Sequence, residues 1–330
     1  MMNNLGDWLC QARKAKRMAL IAHVSPDGDT VGATLALRLA FLSLGKEVDI
    51  VCDGVPGKSL PPLEGMEAFI PPDQARDDYD TAIAVDVSDH RLLGRADRVF
   101  DSAPMRMVID HHATNPGYGM VNYIRGDECS CCVLAHDVIE GLGVTVNREM
   151  GECLMTGMST DTGHFMYPYT TPRAFELAAK LLRLGVDISA LTRVLYRLSS
   201  RERVALMRIA YQKLRFELDG QVGVIELTEE DLASAGCTAN QTEGLVNKAL
   251  EVEGVRMAIL ATPREDGVKL SLRAVEPDTV NDLAKRFGGG GHAQAAGVTM
   301  HMTMEEAVSA MLSAMAEKLD AAGLQNDHGM

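Results

Sequence analysis

No apolar run in the chain approaches the ~18 residues that a membrane span needs. Positive charge is scarce as well: 32 Lys and Arg stand against 46 Asp and Glu, a net charge of −14. Such a chain repels polyanions on average. Tracking along long DNA or RNA is therefore excluded, because that mode rests on many Lys/Arg–phosphate contacts. A short phosphorylated ligand stays compatible where positive charge is concentrated locally or metals supply it. The seven cysteines lack the even spacing of a secreted disulfide framework. Cys129, Cys131 and Cys132 crowd together, but no second pair stands at zinc-finger spacing, so the seven read as reduced thiols, mostly small buried residues. Nor does the start read as a signal peptide: Lys14, Lys16 and Arg17 lead only into a short apolar stretch, 18–22. Cytoplasm is the expected compartment. There is no internal repeat, and no low-complexity tract beyond glycines 288–291.

What is present is ordinary for a globular protein: 46% apolar and 24% charged residues over 330 positions. That length predicts two domains, and it buries roughly 75% of the unfolded surface without help from a disulfide or structural metal. Short apolar strands are expected at 18–23, 48–52, 81–87 and 105–109, with helices at 30–44, 130–142, 148–160 and 172–184. Near-continuous apolar strands alternating with helices argue an α/β domain with a parallel sheet covered on both faces. The texture changes over 183–215, a helical stretch with a net charge of +6. It reads as a solvated linker helix or as a positive wall facing an anionic ligand. Beyond it, Asp219-Gly220 joins strands 212–218 and 221–227 into a hairpin. Further strands at 255–262 and 268–274 and helices near 242–250, 279–286 and 304–321 make a smaller α+β C-terminal domain. The expected layout is 1–187, a linker helix 188–211, and 212–330.

Acids and histidines gather where the strands end. His23, Asp27 and Asp29 follow the first strand as H-x3-D-x-D, Asp86 ends the third, and Asp110-His111-His112 ends the fourth. Asp27-Gly28-Asp29 taken alone is also a good turn and N-cap. Ligands collect beyond the carboxyl ends of parallel strands, so these groups are candidates to converge. Asp161, in Ser159-Thr160-Asp161-Thr162-Gly163 at the end of an apolar helix, adds a further carboxylate. Carboxylate with imidazole and no thiolate favours manganese, then magnesium, over structural zinc. So many ligands exceed what one such ion takes from protein. Two ions sharing a carboxylate fit better, and a two-metal centre is the recurrent device of phosphoryl hydrolysis. In the C-terminal half, Lys285-Arg286-Phe287 leads into Gly288-Gly289-Gly290-Gly291-His292, and Arg273 lies in Ser271-Leu272-Arg273. Glycine amides, an arginine fork and a helix expected to start near His292 would suit a phosphate.

These motifs resemble the DHH phosphoesterase family. The resemblance rests on His23-Val24-Ser25-Pro26-Asp27-Gly28-Asp29 with Gly32, Val85-Asp86 with Ser88-Asp89, Asp110-His111-His112 with Asn115, and Thr160-Asp161-Thr162-Gly163. Gly288-Gly289-Gly290-Gly291-His292-Ala293-Gln294-Ala295-Ala296-Gly297 resembles the family's associated C-terminal domain. The match spans nearly the whole chain, and its length and layout are similar to the branch of nanoRNases and pAp phosphatases. Two departures are Ala33, where serine is common, and Cys131-Cys132, where small polar residues are frequent.

The resemblance implies that His23 and Asp27 bind one divalent ion, Asp29, His111 and Asp161 the other, and that Asp86 bridges both. Asp110 would orient the neighbouring histidine, and His112 would contact the scissile phosphate and protonate the leaving oxygen. Arg273, His292 and Gly288, Gly289, Gly290 and Gly291 would hold the remaining phosphate or nucleotide, in a cleft between domains. The implied activity is hydrolysis of dinucleotides and other short RNA to nucleoside 5′-monophosphates, together with removal of the 3′-phosphate from 3′-phosphoadenosine 5′-phosphate. A cyclic di-AMP or linear dinucleotide-signal phosphodiesterase is the rival enzyme. A catalytically inactive nucleotide-binding module is the rival of another class. No membrane is involved, and a homodimer is left open.

Overall fold

The computed structural model describes residues 4–57 and 60–327. The chain forms two compact units, one ending at Leu198 and the other starting at Ser199.

The first unit runs α1 (Leu5–Lys14), β1 (Arg17–Ile21), α2 (Gly28–Ser43), β2 (Glu47–Val51), β3 (Phe69–Ile70), β4 (Thr81–Val85), α3 (Asp97–Ser102), β5 (Met105–Asp110), β6 (Val121–Ile124), α4 (Cys131–Gly141), α5 (Arg148–Asp161), α6 (Pro172–Arg183) and α7 (Ile188–Thr192). Its strands form one fully parallel sheet in the order β3-β2-β1-β4-β5-β6. The central strands are apolar on both sides because both faces are covered. Leu20, Ile83 and Ile109 pack with residues of α2, α4 and α5. Ile21, Ala84 and Val108, each one position away and so on the opposite face, pack with Val99 and Phe100 of α3. The strand order reverses between β1 and β4, and beyond the carboxyl ends of strands at such a reversal lies the usual ligand crevice of an open α/β sheet. Two glycines set how closely the first face packs. A methyl group on Gly32 of α2 would lie 2.4 Å from the Cys153 carbonyl oxygen, and one on Gly157 of α5 would lie 2.3 Å from Cys132 Sγ. Only glycine brings α2 and α5 this near.

The second unit holds α8 (Arg201–Lys213), β7 (Arg215–Glu217), β8 (Val222–Glu226), α9 (Glu229–Ser234), α10 (Asn247–Leu250), β9 (Met257–Arg264), β10 (Gly267–Ala274), α11 (Asn281–Arg286), β11 (Gly290–His292), β12 (Ala295–Met300) and α12 (Met304–Asp327). Its sheet has the order β11-β12-β10-β9-β8-β7, antiparallel except for the β8–β9 pair. Leu270, Leu272 and Val298 face α11 and α12, while Leu260 and Ala258 face α8 and α10.

Three expectations change. Residues 188–211 are not one linker helix: α7 passes into a π turn, Arg193–Arg197, the chain is extended at Leu198, and α8 begins afresh under the Ser200 cap. The helix expected near 242–250 is a 3-10 turn, Ala239–Thr242, then α10, interrupted by Gly244 at φ +74°. No helix starts near His292. That residue ends β11, which pairs antiparallel with β12. Gly288 and Gly291 take φ of +83° and +141°, outside any right-handed helix. The basic run is also partly consumed within the second unit. Lys213 pairs with Asp231, Arg215 with Glu217 and Glu226, and Arg203 donates to the carbonyls of Gln241 and Glu243.

Candidate active site

At the carboxyl edge of the parallel sheet, β1 ends and the chain passes through His23 to Asp27, the N-cap of α2. Asp27 accepts the backbone N–H groups of Asp29 and Thr30, both at 3.0 Å. That cap fixes Asp29 in the first helical turn, pointing inward and 1% exposed. Asp29 is gripped from the far side by the start of α4. The Ser130 hydroxyl and the Cys131 N–H donate to it at 2.6 Å each, and the Cys132 N–H at 3.1 Å. The two cysteines that depart from the family pattern thus serve through their amides, while their thiols are buried and driven up in pKa by burial.

Asp86 follows β4 at φ +60°, a left-handed conformation that, glycine aside, aspartate and asparagine tolerate best. Its Oδ2 accepts from the Thr30 hydroxyl at 2.7 Å. Its Oδ1 is buried and has no hydrogen-bond partner. Asp110, fully buried at the end of β5, accepts from His112 Nδ1 at 2.8 Å and from Asn115 Nδ2 at 2.6 Å. His111 turns the other way. Its Nδ1 meets the Glu128 carbonyl at 3.2 Å, so Nδ1 donates and Nε2 faces the acids. Around Nε2 lie Asp161 Oδ2 at 3.1 Å, Asp86 Oδ1 at 3.6 Å and Asp29 Oδ2 at 3.7 Å. Three groups of side chains bring one ligand atom each within 4.8 Å: His23–Asp27–Asp86, Asp86–His111–His112 and Asp29–His111–Asp161.

The electrostatics favour a positive charge here. Two carboxylates 4.8 Å apart repel by about 3–4 kcal/mol at an effective dielectric near 20. Burial, reinforced by Asp161, pushes the Asp29 carboxyl up to about 6. Burial and then Asp29 raise Asp86 well above the usual carboxylate range. Burial alone would depress His111, but the hydrogen bond to Asp161 and the charges of Asp29 and Asp86 outweigh it and push the imidazole up to about 10. Burial holds His23 below its ordinary value against the pull of Asp27. The donor set therefore fits divalent cations. An acceptor oxygen without a donor and an imidazole nitrogen aimed at three acids are what coordination would satisfy.

The second unit gathers the other candidates on one sheet face. Arg273 on β10 is opposite Ala295 on β12, which is opposite His292 on β11. The register puts Arg273 and His292 on the same face, two strand spacings or ~10 Å apart, with only a methyl group between. Lys269 and Ser271 share that face by alternation, and Arg264 joins them from β9. Arg264, Lys269, Ser271, Arg273, Thr242 and Gly297 line a hollow of ≈ 330 Å³. Gly288 is exposed and bends the chain, Gly289 packs on the Gly297 carbonyl, and Gly290 and Gly291 pair with β12. Thr30, Ser130, Arg264 and Lys269 were not among the sequence candidates. Lys269 alone left a signal, the alternation Lys269-Leu270-Ser271-Leu272-Arg273.

Comparison with known proteins agrees with this geometry. The DHH family, N-terminal domain, matches residues 17–158, and the DHHA1 domain matches 207–321. A Thermus thermophilus protein named bifunctional oligoribonuclease and PAP phosphatase NrnA is 33% identical over 307 residues, 92% of this chain and 90% of its own. The chain belongs to the DHH family. It is accordingly a metal-dependent phosphoesterase. A Bacillus subtilis protein of the same name is 25% identical, covering 84% of this chain and 88% of its own. The crystal structure of an exopolyphosphatase-related protein from Bacteroides fragilis matches at a TM-score of 0.86 and 26% identity, covering 95% of both chains. Among the described residues, no helix is long and apolar enough to cross a membrane.

Proposed function

We propose that this DHH protein is a two-metal phosphoesterase for very short nucleotides. It hydrolyses dinucleotides and slightly longer oligoribonucleotides to nucleoside 5′-monophosphates, and it removes the 3′-phosphate of 3′-phosphoadenosine 5′-phosphate. The observation that carries the reading is Asp86 Oδ1, buried, without a protein partner, in a residue shared by two ligand groups. The names of the Thermus and Bacillus relatives support the substrate class. The acidic balance of −14 supports the limit on length.

In this reading His23 and Asp27 hold one divalent ion, Asp29, His111 and Asp161 hold a second, and Asp86 lies against both. Manganese is the first choice and magnesium the second, as the oxygen–imidazole donor set suggests. Ions bound there would supply an acidified water and neutralise charge on phosphate oxygens. The protein's own groups do the rest. Asp110 keeps the proton on His112 Nδ1 and fixes the ring, leaving Nε2 for substrate. The hydrogen bond to Asp110 raises His112 above its ordinary pKa, suiting it to give a proton to the leaving oxygen. Arg273, His292 and the backbone of 288–291 hold the substrate's other phosphate, with Arg264 and Lys269 adding charge on the same face. Seven unpaired thiols are in keeping with a cytoplasmic setting.

A substrate panel tests the reading: dinucleotide RNA, 3′-phosphoadenosine 5′-phosphate, a 24-mer RNA and cyclic di-AMP, each with manganese and with magnesium. The expected order places the dinucleotide and the bisphosphate far ahead of the 24-mer. Equal rates per enzyme on dimer and 24-mer, or a preference for the cyclic substrate, would overturn it.

A further inference from the structure

Aromatic residues make up only 5% of the chain, yet a group of them stands in the open directly after Asp161. Met166, Tyr167 and Tyr169 are 77%, 47% and 56% exposed. The backbone that presents them is strained. Gly163, His164 and Phe165 all take left-handed φ, +56°, +59° and +64°, and two of the three are not glycine. Each such residue costs on the order of 1 kcal/mol and persists only where the surroundings enforce it. The turn sends Phe165 inward against the core and the tyrosines outward.

Both tyrosines are held on one side and about half exposed on the other. The Tyr169 hydroxyl donates to the Asp161 backbone carbonyl at 3.0 Å. The Tyr167 ring rests on Gly163, where a methyl group would lie 2.5 Å from the ring carbons. The ring centroids are 5.6 Å apart, at 43°. Two large rings are thus held in fixed places one residue's reach from a candidate ligand carboxylate. Exposed rings of this kind bind π-faces, and every nucleobase has one. Stacking also needs no positive charge, which matters beside a cluster of carboxylates.

We propose that Tyr167 and Tyr169 form a stacking platform for a nucleobase of the substrate at the mouth of the metal centre. The proposal rests on the nucleotide reading above and deepens it. The rings accept any base and prefer purines, whose faces are larger. They contribute to ground-state binding, so their loss raises KM and leaves kcat nearly unchanged.

The test compares ApA with a dimer of the same backbone that lacks both bases, using the full chain with manganese. Tyr167→Leu and Tyr169→Leu should lower kcat/KM on ApA by about 5- to 100-fold while changing the base-free dimer by no more than about twofold. Tyr167→Phe and Tyr169→Phe, which keep the ring, should stay close to wild type on both. Retained cleavage of the base-free dimer shows that fold and metal binding survive in the leucine variants. Equal losses on the two substrates, or no loss on either, would overturn the platform. So would a wild-type protein that cleaves ApA no better than the base-free dimer. If wild type cleaves no RNA dimer at all, the nucleotide reading falls first and the platform with it.

Discussion

Replacing Asp86 by asparagine should raise the stability of the metal-free protein while abolishing its activity. Asparagine has the same shape and tolerates the left-handed backbone at this position, where φ is +60°. Its amide can still meet the Thr30 hydroxyl that now donates to Oδ2. What changes is charge. In the metal-free protein Asp29 titrates near 6 and Asp86 well above the ordinary carboxylate range. The folded state therefore binds protons that the unfolded state has released, and stability falls as pH rises from about 4 through 6. His111 is charged in both states over that range and does not contribute to the slope. The rise of Asp29 alone corresponds to roughly 3 kcal/mol, at about 1.4 kcal/mol per tenfold change in proton affinity. Asp86 is itself raised by burial and then by the Asp29 charge, and asparagine carries neither cost, so Asp86→Asn should return about 1–2 kcal/mol at pH 7. For a unit of this size that is a gain of roughly 2–8 °C in Tm. Thermal melts in chelator across pH 4–8 would read it, with wild type declining through pH 6 and the variant flatter. Manganese-dependent turnover of a dinucleotide should fall at least about 1,000-fold, since the partnerless oxygen of Asp86 is removed. A variant that melts lower than wild type in chelator, or keeps a tenth of its activity, would refute the reasoning.

Asp110→Asn should lower kcat about 10- to 100-fold with little change in metal affinity, because it releases the tautomer of His112 rather than a ligand; steady-state kinetics and a manganese titration separate the two. Gly157→Ala would put a methyl group 2.3 Å from Cys132 Sγ and 2.8 Å from Asp29 Oδ1, so it should cost about 1–3 kcal/mol of stability in denaturant melts. A Cys132→Ala background should recover part of that loss. Arg273→Ala and His292→Ala should each weaken dinucleotide turnover about tenfold or more, and spare a small generic phosphodiester that carries no second phosphate. Equal damage to both substrates would remove these residues from substrate binding.

Much of the first unit was legible because its strands declare themselves. β1, β4 and β5 are apolar runs buried on both faces, and each ends at or just before an acid or histidine. A two-residue strand such as β3 has no pattern to read, and the short α3 is hidden behind a polar 3-10 segment. The glycine run misled for a physical reason. Glycine has no side-chain periodicity, so neither helix nor strand is marked. Here the decision lies in the register with β12, where Gly289 fits against the Gly297 carbonyl. The amides of Cys131 and Cys132 were equally invisible as Asp29 donors, because backbone N–H groups leave no mark in residue identity.

The arrangement at the sheet edge also explains which parts of the acid cluster the fold tolerates unaided. Asp27 caps α2, and Asp29 takes three donors from the start of α4, so the positive ends of two helices already face these carboxylates. Asp110 is matched by His112 and Asn115. The deficit that remains is narrow. It consists of the open oxygen of Asp86 and the acids gathered around a single His111 nitrogen. A protonated His111 offsets one charge there, and only while it gives up the lone pair that a ligand needs. Coordination restores that lone pair and supplies positive charge at the same spot. The conflict that the fold leaves thus centres on Asp86 and His111, the two residues that each belong to two of the three ligand groups, and that is where a bound cation would relieve it.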